Sequence, residues 1–260
     1  MVVVIEENHG YKQIIGNPDA AFINELAADG ALLTNSHGLL HPSQPNYLAL
    51  FSGSTQGVTD DKPVPGTPLT APNLGAALTV KGYTFAGYSE SLPAIGSLSL
   101  SAGNGYARKH NPWSNWQSDS PGPNQLPESV NRRFADFPSD FRILPTVAFV
   151  VPNLMNDEHG NGQSADADLI RASDQWLRRY MSAYASWAVG HDSLLIVTWD
   201  EDGYTTANRI PTILVGAAVK PGKYDQPTTH YNVLRMIERF YDLPLAGAST
   251  NAAPIRDAVP

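Results

Sequence analysis

The amino-acid sequence predicts an α/β fold with a doubly wound, mainly parallel β-sheet. Short apolar runs rich in β-branched residues, at residues 2–5, 146–151 and 194–199, have the length and composition of buried strands. Amphipathic segments with helical spacing lie between such runs, and the longest covers residues 166–189. Strands that alternate with helices favour parallel pairing, because the chain has to cross the sheet before the next strand.

Cap and turn residues define the other elements. Asn17-Pro18-Asp19 supplies a cap and a first-turn proline for a helix that we expect to run to Asp29 and end at Gly30. Pro45 is expected to begin a short helix that ends at Leu50. The remaining predicted strands are residues 31–34, 83–88 and 211–215, and the remaining predicted helices are residues 73–81 and 231–241.

The stretch at residues 89–145 is rich in Ser, Gly, Asn and Pro and has weak periodicity. We expect it to be a long irregular loop region over the face that carries the functional site, because loops of this length usually have a function. No Gly/Ser-rich linker or run of charges divides the chain, which favours one domain over residues 1–260.

Composition excludes several classes of protein. The 260 residues carry a net charge of −8, and the basic residues are scattered, so nucleic acid is not expected as the main partner. The absence of cysteine excludes disulfides, thiolate zinc sites and cysteine nucleophiles. No apolar run approaches the roughly 18 residues that span a bilayer. The first residues read as a strand rather than a signal peptide, which favours either a cytoplasmic protein or a mature or truncated form.

Polar clusters follow three of the predicted strands at the point where each strand ends. They are residues 6–9 after the first strand, residues 153–159 after the strand at 146–151, and residues 200–202 after the strand at 194–199. The carboxyl ends of parallel strands meet at one edge of a sheet, where ligands bind in folds of this class. We therefore expect one polar site that is rich in carboxylates.

The side chains in these clusters indicate metal chemistry. Glu7, Asn8, Asp200 and Glu201 offer only oxygen ligands, which suit Ca²⁺, Mg²⁺ or Mn²⁺. A second set contains nitrogen and suits zinc, or binds a phosphate directly; it consists of Asp157, His159 and His230. Two such sets around one phosphate fit a reaction in which one activates a nucleophile and the other stabilises the leaving oxygen.

Ser43 is the candidate nucleophile. Pro45 in the first helical turn places Ser43 just outside a helix N-terminus, where main-chain N–H groups and the helix dipole favour an anionic phosphate. A metal-bound serine hydroxyl at such a position can lose its proton and attack phosphorus. Asn46 is one turn further along and can donate to a phosphate oxygen. A role of Ser43 as the helix cap alone is the structural alternative.

Six ordered segments carry a resemblance to a known family. They are EENHGY, HPSQPNYLALFSGSTQGV, YARKHNPW, VPNLMNDEHG, VTWDEDG and THYNVLRMIERFYDLP, and they extend from Val2 to about Pro244. Together they resemble the phosphoesterase family of acid phosphatases and phospholipases C, within the alkaline phosphatase superfamily. The resemblance implies an alkaline phosphatase-like fold and a secreted or extracytoplasmic location.

The resemblance also implies roles for residues. Ser43 would be transiently phosphorylated, and His110, with Lys109, would face the phosphate from the long loop. The substrate-binding residues would then be Asn8, Asn46, Lys109 and His110. A divalent cation would be held by Glu7, Asn8, Ser43, Asp157, His159, Asp200, Glu201 and His230.

We therefore expect a metal-dependent phosphoester hydrolase of the acid phosphatase type, acting on a small-molecule or lipid phosphoester. A phospholipase C-type phosphodiesterase is the alternative, since it uses the same nucleophile but needs room for a second ester group. A serine esterase is disfavoured because the chain has no Gly-x-Ser-x-Gly elbow. A protein that binds without catalysis would turn over no phosphoester with any divalent metal.

Overall fold

The computed structural model describes residues 1–103 and 105–259, and the chain divides into two compact units. The first unit comprises Met1–Gly38, Leu154–Thr228 and Ile255–Pro260, and the second comprises Leu39–Asn153 and Thr229–Pro254. The expectation of one domain stays a prediction. Within the described part of the chain, none of the helices combines the length and the apolar character that crossing a membrane requires.

Six α-helices and thirteen short or medium strands make up the described regular structure. The helices are α1 Tyr11–Ile14, α2 Ala21–Asp29, α3 Ser43–Ser52, α4 Leu74–Val80, α5 Asp166–Val189 and α6 His230–Phe240. The strands are β1 Val2–Glu6, β2 Ala31–Leu33, β3 Ser36–His37, β4 Phe85–Ser89, β5 Ser101–Ala102, β6 Tyr106–Ala107, β7 Asn131–Arg133, β8 Val147–Val151, β9 Leu194–Trp199, β10 Arg209–Ile210, β11 Thr212–Gly216, β12 Gly222–Tyr224 and β13 Thr228–Thr229.

Five strands of the first unit are hydrogen-bonded in the order β12-β2-β11-β9-β1, and β3 and β10 pair separately. β1 pairs in parallel with β9, with Val2 opposite Leu195 and Glu6 opposite Trp199. β12 is also parallel to β2, whereas β11 is antiparallel to both of its neighbours. Helices α2 and α5 pack on these strands and on each other. The uninterrupted burial of β1 and β9 explains their apolar sequences, because both faces of each strand are covered.

Three strands of the second unit pair in parallel in the order β8-β4-β7, and β5 and β6 form a separate antiparallel pair. Helix α4 packs on β4, and α3 packs against α4 and α6. An aromatic cluster forms part of the core, in which the rings of Phe51, Phe85 and Phe149 lie within 6 Å of one another. Trp113 packs edge-on against two members of this cluster, Phe85 and Phe149.

The predicted α/β class and mainly parallel pairing are confirmed. Helix α5 and strand β9 have the predicted bounds, and the predicted helix at Asn17 is a short 3-10 turn, Pro18–Ala20, followed by α2. The antiparallel direction of β11 departs from the parallel expectation, since a loop rather than a helix connects it to β9.

The predicted loop region at residues 89–145 contains only short strands and 3-10 turns among its described residues, and Asn104 lies outside them. Five of these turns follow one another along the chain, at Arg108–His110, Pro112–Trp116, Glu128–Val130, Phe134–Asp136 and Phe141–Ile143. One strand of this region, β7, extends the sheet of the second unit by pairing with β4.

Candidate active site

Carboxylates at the ends of β1 and β9 lie together in the first unit. The parallel register ends both strands at the same level, so Glu7 and Asp200 directly follow paired residues. The main-chain N–H groups of Asn8 and Glu201 donate to the same Oδ1 of Asp200, at 3.3 and 2.6 Å. The main-chain N–H of Asp200 donates to the carbonyl oxygen of Glu6 at 3.0 Å. The structure therefore brings Glu7, Asn8, Asp200 and Glu201 together.

The loop that follows residue 153 joins the same cluster. The main-chain N–H of Glu7 donates to the carbonyl oxygen of Asp157 at 2.7 Å, and the Oδ1 of Asp157 accepts from the main-chain N–H of His159 at 2.8 Å. Glu158 between them has a φ of 77°, in the left-handed region. This turn places the buried side chain of Asp157 beside the end of β1.

The charges of this cluster fit a divalent cation. Glu7, Asp157, Asp200 and Glu201 are all at most 1% exposed. Burial raises the pKa of Asp200 well above its ordinary value, and the negative charges of Glu7 and Glu201 raise this pKa further. Buried carboxylates that repel one another need a positive partner, and an all-oxygen donor set is the one that hard cations prefer.

A buried polar network lies next to the cluster and was not found from the sequence. Trp199 donates from Nε1 to the Oε2 of Glu158 at 2.8 Å, and the Nδ1 of His9 lies 3.2 Å from the same oxygen. Burial raises the pKa of Glu158 to about 8 and lowers the pKa of His9. Asp157 and His159, which flank Glu158, are candidate ligands in the sequence. No pattern in the sequence indicates that the side chain of Glu158 points inward.

Ser43 is the first residue of α3 in the second unit, and Pro42 occupies the cap position. The helix therefore begins two residues before Pro45, and Ser43 lies in its first turn rather than just outside it. Every residue of α3 is buried, and Ser43 is 2% exposed. A helix that is covered all round has no amphipathic pattern, which is why its start was not visible in the sequence.

The side chain of Asn46 holds the turn that precedes Ser43. Its Oδ1 accepts from the main-chain N–H groups of Leu39 and Leu40, and its Nδ2 donates to the carbonyl oxygens of Leu40 and Pro42. These contacts show that Asn46 holds the turn at residues 39–42 in place before Ser43. Its predicted contact with a phosphate oxygen stays a prediction.

Asp61 connects the long loop to the first turn of α3 within the second unit. The ammonium of Lys109 lies 2.6 Å from the Oδ2 of Asp61, and the main-chain N–H of Gln44 donates to Oδ1 of the same residue at 3.0 Å. The ring of His110 is buried and stacks on Tyr47, with 5.0 Å between ring centroids. Sequence reasoning missed Asp61, because a contact between distant loops leaves no periodic signal.

His230 is the first residue of α6 and is buried. The helix is capped by Thr229 and Asn232, whose Oδ1 accepts from the main-chain N–H of Thr229 at 2.8 Å. The ring of His230 is therefore not needed for the cap. Its role as a ligand stays a prediction.

The fold resembles those of solved structures. A protein in the alkaline phosphatase superfamily from Vibrio parahaemolyticus has a TM-score of 0.67 at 13% identity, with 98% of this chain and 70% of that chain covered. The lipoteichoic acid synthase LtaP from Listeria monocytogenes has a TM-score of 0.62 at 9% identity, with 94% of this chain and 72% of that chain covered. These similarities show that the chain has a fold like that of a protein in the alkaline phosphatase superfamily.

The sequence comparison then identifies the family. The sequence profile of the Phosphoesterase family matches residues 16–244. The chain therefore belongs to the phosphoesterase family, and it is a phosphoric ester hydrolase.

Curated relatives agree with this assignment. A phosphatidylinositol-3-phosphatase from Mycobacterium tuberculosis is 48% identical over 260 residues, which is 99% of this chain and 81% of the relative. An acid phosphatase from Aspergillus fumigatus is 31% identical over 250 residues, with 90% of this chain covered. The chain spans 53% of the length of that fungal enzyme.

Proposed function

We propose that this protein is a metal-dependent phosphomonoester hydrolase that uses Ser43 as its nucleophile and forms a phosphoserine intermediate. The observation that carries the proposal is the buried, hydrogen-bonded cluster of Glu7, Asn8, Asp200 and Glu201. Membership of the phosphoesterase family supports the role of Ser43, because the serine lies in one of the segments that resemble the family.

A divalent cation would be held by the oxygen-rich cluster, with Ca²⁺, Mg²⁺, Mn²⁺ and Zn²⁺ as the candidates. When bound, it would lower the pKa of a serine hydroxyl and offset the charge of the phosphoryl group. The proposed ligands are Glu7, Asn8, Ser43, Asp157, His159, Asp200, Glu201 and His230.

The chain's own residues account for the two steps of the reaction. The Oγ of Ser43 forms a bond to phosphorus while the bond from phosphorus to the ester oxygen breaks, and the alcohol leaves with a proton. Water then attacks phosphorus, which breaks the bond to Oγ and releases inorganic phosphate. The position of Ser43 at the start of α3 favours both steps, since the helix N-terminus attracts anions. We propose that Asn8, Asn46, Lys109 and His110 bind the phosphoryl oxygens.

We propose a phosphomonoester, of a small molecule or a lipid, as the substrate class. The names of the relatives support a monoester, since one is a phosphatidylinositol-3-phosphatase and the other an acid phosphatase. The phospholipase C-type alternative predicts faster cleavage of bis-p-nitrophenyl phosphate than of p-nitrophenyl phosphate. Measuring both with each divalent metal distinguishes the two functions.

Ser43→Ala tests the nucleophile. We expect turnover of p-nitrophenyl phosphate to fall by a factor of roughly 10⁴ or more, because the phosphoenzyme cannot form. Acid quenching during turnover of radiolabelled substrate should trap phosphate on the wild-type protein and none on the variant.

Ser52→Ala is the matched control. Ser52 lies on the same helix, is buried, and its hydroxyl donates to the carbonyl oxygen of Leu48 at 2.8 Å. This control should keep both activity and labelling. Labelling that persists in Ser43→Ala would show that another residue is the nucleophile.

A further inference from the structure

A cavity lies next to the carboxylate cluster of the first unit, and no role proposed above uses it. Its volume is about 480 Å³, and its walls include Tyr11, Lys12, Asp202, Ala207 and Arg209. We call it the Tyr11 cavity. A volume of this size is that of a pocket for a small molecule or part of one.

Two connections place the Tyr11 cavity beside the proposed reaction centre. Its wall begins at Gly10, two residues after Asn8, and at Asp202, which directly follows Glu201. A substrate whose phosphate is bound at the ends of β1 and β9 would therefore have the rest of its molecule within reach of this cavity.

Arg209 gives the cavity a fixed cationic group. Its Nε donates to the carbonyl oxygen of Thr34 at 2.9 Å, its Nη2 donates to the same oxygen, and its guanidinium stacks on the ring of Tyr11 at 4.1 Å. Within residues 1–103 and 105–259, Nη1 has no hydrogen-bond partner. A guanidinium that is already held in place loses little freedom when its remaining N–H groups bind an anion.

Lys12 adds a second positive charge. Its side chain is exposed, and it forms no ion pair or hydrogen bond with any other described residue. The one acidic wall residue, Asp202, is buried and turned toward the protein, where its oxygens accept from Thr205 and from the main-chain N–H of Arg209. In a chain of net charge −8, this is a local site for an anion.

We propose that the Tyr11 cavity binds a second anionic group, a phosphate or phosphodiester that belongs to the same substrate molecule as the phosphate that is cleaved. Arg209 and Lys12 bind the anion, and the carbon framework of the substrate lies against Tyr11 and Ala207. This inference rests on the proposed function and narrows the substrate class to phosphomonoesters that carry a further anionic group.

A matched pair of substrates tests the proposal, namely an inositol monophosphate and the inositol bisphosphate that carries one additional phosphate. The wild type should prefer the bisphosphate in kcat/KM. In Lys12→Gln and Arg209→Gln this preference should fall about tenfold, mainly through KM, because a charge-assisted hydrogen bond to the second phosphate is lost. Lys12 is exposed, so its variant stays interpretable if the loss of the Thr34 contacts unfolds Arg209→Gln.

Lys223→Gln is the control, since Lys223 is an exposed lysine of the same unit outside the cavity. Its preference should match that of the wild type. The proposal would be overturned if the wild type had a ratio of kcat/KM for bisphosphate to monophosphate near one. It would also be overturned if this ratio were unchanged in Lys12→Gln.

A short-chain phosphatidylinositol monophosphate, used as a soluble monomer, separates the two sources of the anion. If Lys12→Gln loses turnover of this lipid, the occupant of the cavity is the phosphodiester of a lipid headgroup. If Lys12→Gln loses turnover of the inositol bisphosphate only, the occupant is a free phosphate. Absence of any turnover by the wild type, with p-nitrophenyl phosphate and every divalent metal included, would refute the proposed function itself. Turnover without the charge-dependent preference would refute only the role of the cavity.

Discussion

Asp200 accepts hydrogen bonds from two main-chain N–H groups through one oxygen, and it is buried beside Glu7 and Glu201. Replacing Asp200 by Ala removes a proposed ligand, so we expect the purified variant to lose most of its bound divalent metal, as measured by inductively coupled plasma mass spectrometry. Asp119→Ala is the control, because Asp119 is an exposed carboxylate of the long loop. Full metal content in Asp200→Ala would mean that the residue only holds the ends of β1 and β9 together.

Strand geometry allowed the sequence to predict which polar residues lie near one another. Glu7 and Asp200 were expected to lie together because paired parallel strands end at one edge. The main-chain N–H of Asn8 donates to Asp200, and that of Asp200 donates to Glu6, in agreement with this expectation. Contacts such as Lys109 with Asp61, or Trp199 with Glu158, join segments with no regular spacing between them. Long-range loop contacts of this kind depend on the folded chain and leave no local pattern.

At the scale of elements, the packing of Trp113 against β4 requires a glycine at position 87. A Cβ added to Gly87 would lie 2.0 Å from the ring of Trp113, whose Nε1 donates to the Oδ1 of Asn131 at 2.9 Å. Gly87→Ala should therefore lower the free energy of unfolding by about 3 kcal/mol, because the buried ring has to move. Urea unfolding measures this change.

Gly190→Ala is the comparison for Gly87→Ala. A Cβ there would meet its nearest neighbour at 3.8 Å, and the residue has a φ of −95° that alanine adopts readily. Its stability should change by less than about 1 kcal/mol. If Gly87→Ala and Gly190→Ala lose equal amounts of stability, contact with Trp113 does not cause the destabilisation of Gly87→Ala.

Glu238 links α6 to the 3-10 turn Gly247–Thr250 and makes stability depend on pH. Its Oε1 accepts from the main-chain N–H of Ala246 and its Oε2 from the hydroxyl of Ser249, at 2.8 and 2.6 Å. Burial raises its pKa to about 7, although the hydrogen bonds and the charges of Arg235 and Arg239 oppose the rise. The folded state therefore holds this proton more tightly than the unfolded state, whose carboxyl has the ordinary pKa of about 4.3.

The contribution of Glu238 to stability is fully present below the unfolded pKa and is lost as pH rises through the folded value. Between about pH 4.3 and pH 7, Glu238→Gln should thus gain stability relative to the wild type, by on the order of 3 kcal/mol in total. Denaturant unfolding of both proteins across this range measures the difference. If the difference in the free energy of unfolding between the two proteins does not change with pH, a group other than Glu238 titrates in this range.

Among the elements, long amphipathic and fully apolar segments were predicted with the right bounds, as α5 and β9 show. Three features were not predicted, namely two short strands, the start of one helix and the direction of one strand. Strands β7 and β12 are three residues long and carry charged side chains at the margins of their sheets, so they have no apolar pattern. The start of α3 was hidden by burial on every side, and the direction of β11 depends on its connection rather than on its own residues.

At the scale of the whole molecule, divalent metal is expected to stabilise the fold. The first unit buries Glu7, Asp157, Asp200 and Glu201, and a cation that binds only the folded state shifts the unfolding equilibrium by mass action. Melting temperature should therefore rise with the concentration of the activating metal and fall after treatment with a chelator. The rise should be absent in Asp200→Ala, and sodium chloride at equal ionic strength should not reproduce it in the wild type.

The two units are interleaved along the chain, because each returns to the sequence after the other has begun. No single break in the gene can separate them, since a cut after Gly38 divides the first unit and a cut after Asn153 divides both units. Exchange of either unit as a whole would therefore need more than one break in the gene. Changes of specificity are therefore expected at short surface elements, such as helix α1 with Lys12 and strand β10 with Arg209, which can vary without a break in either unit.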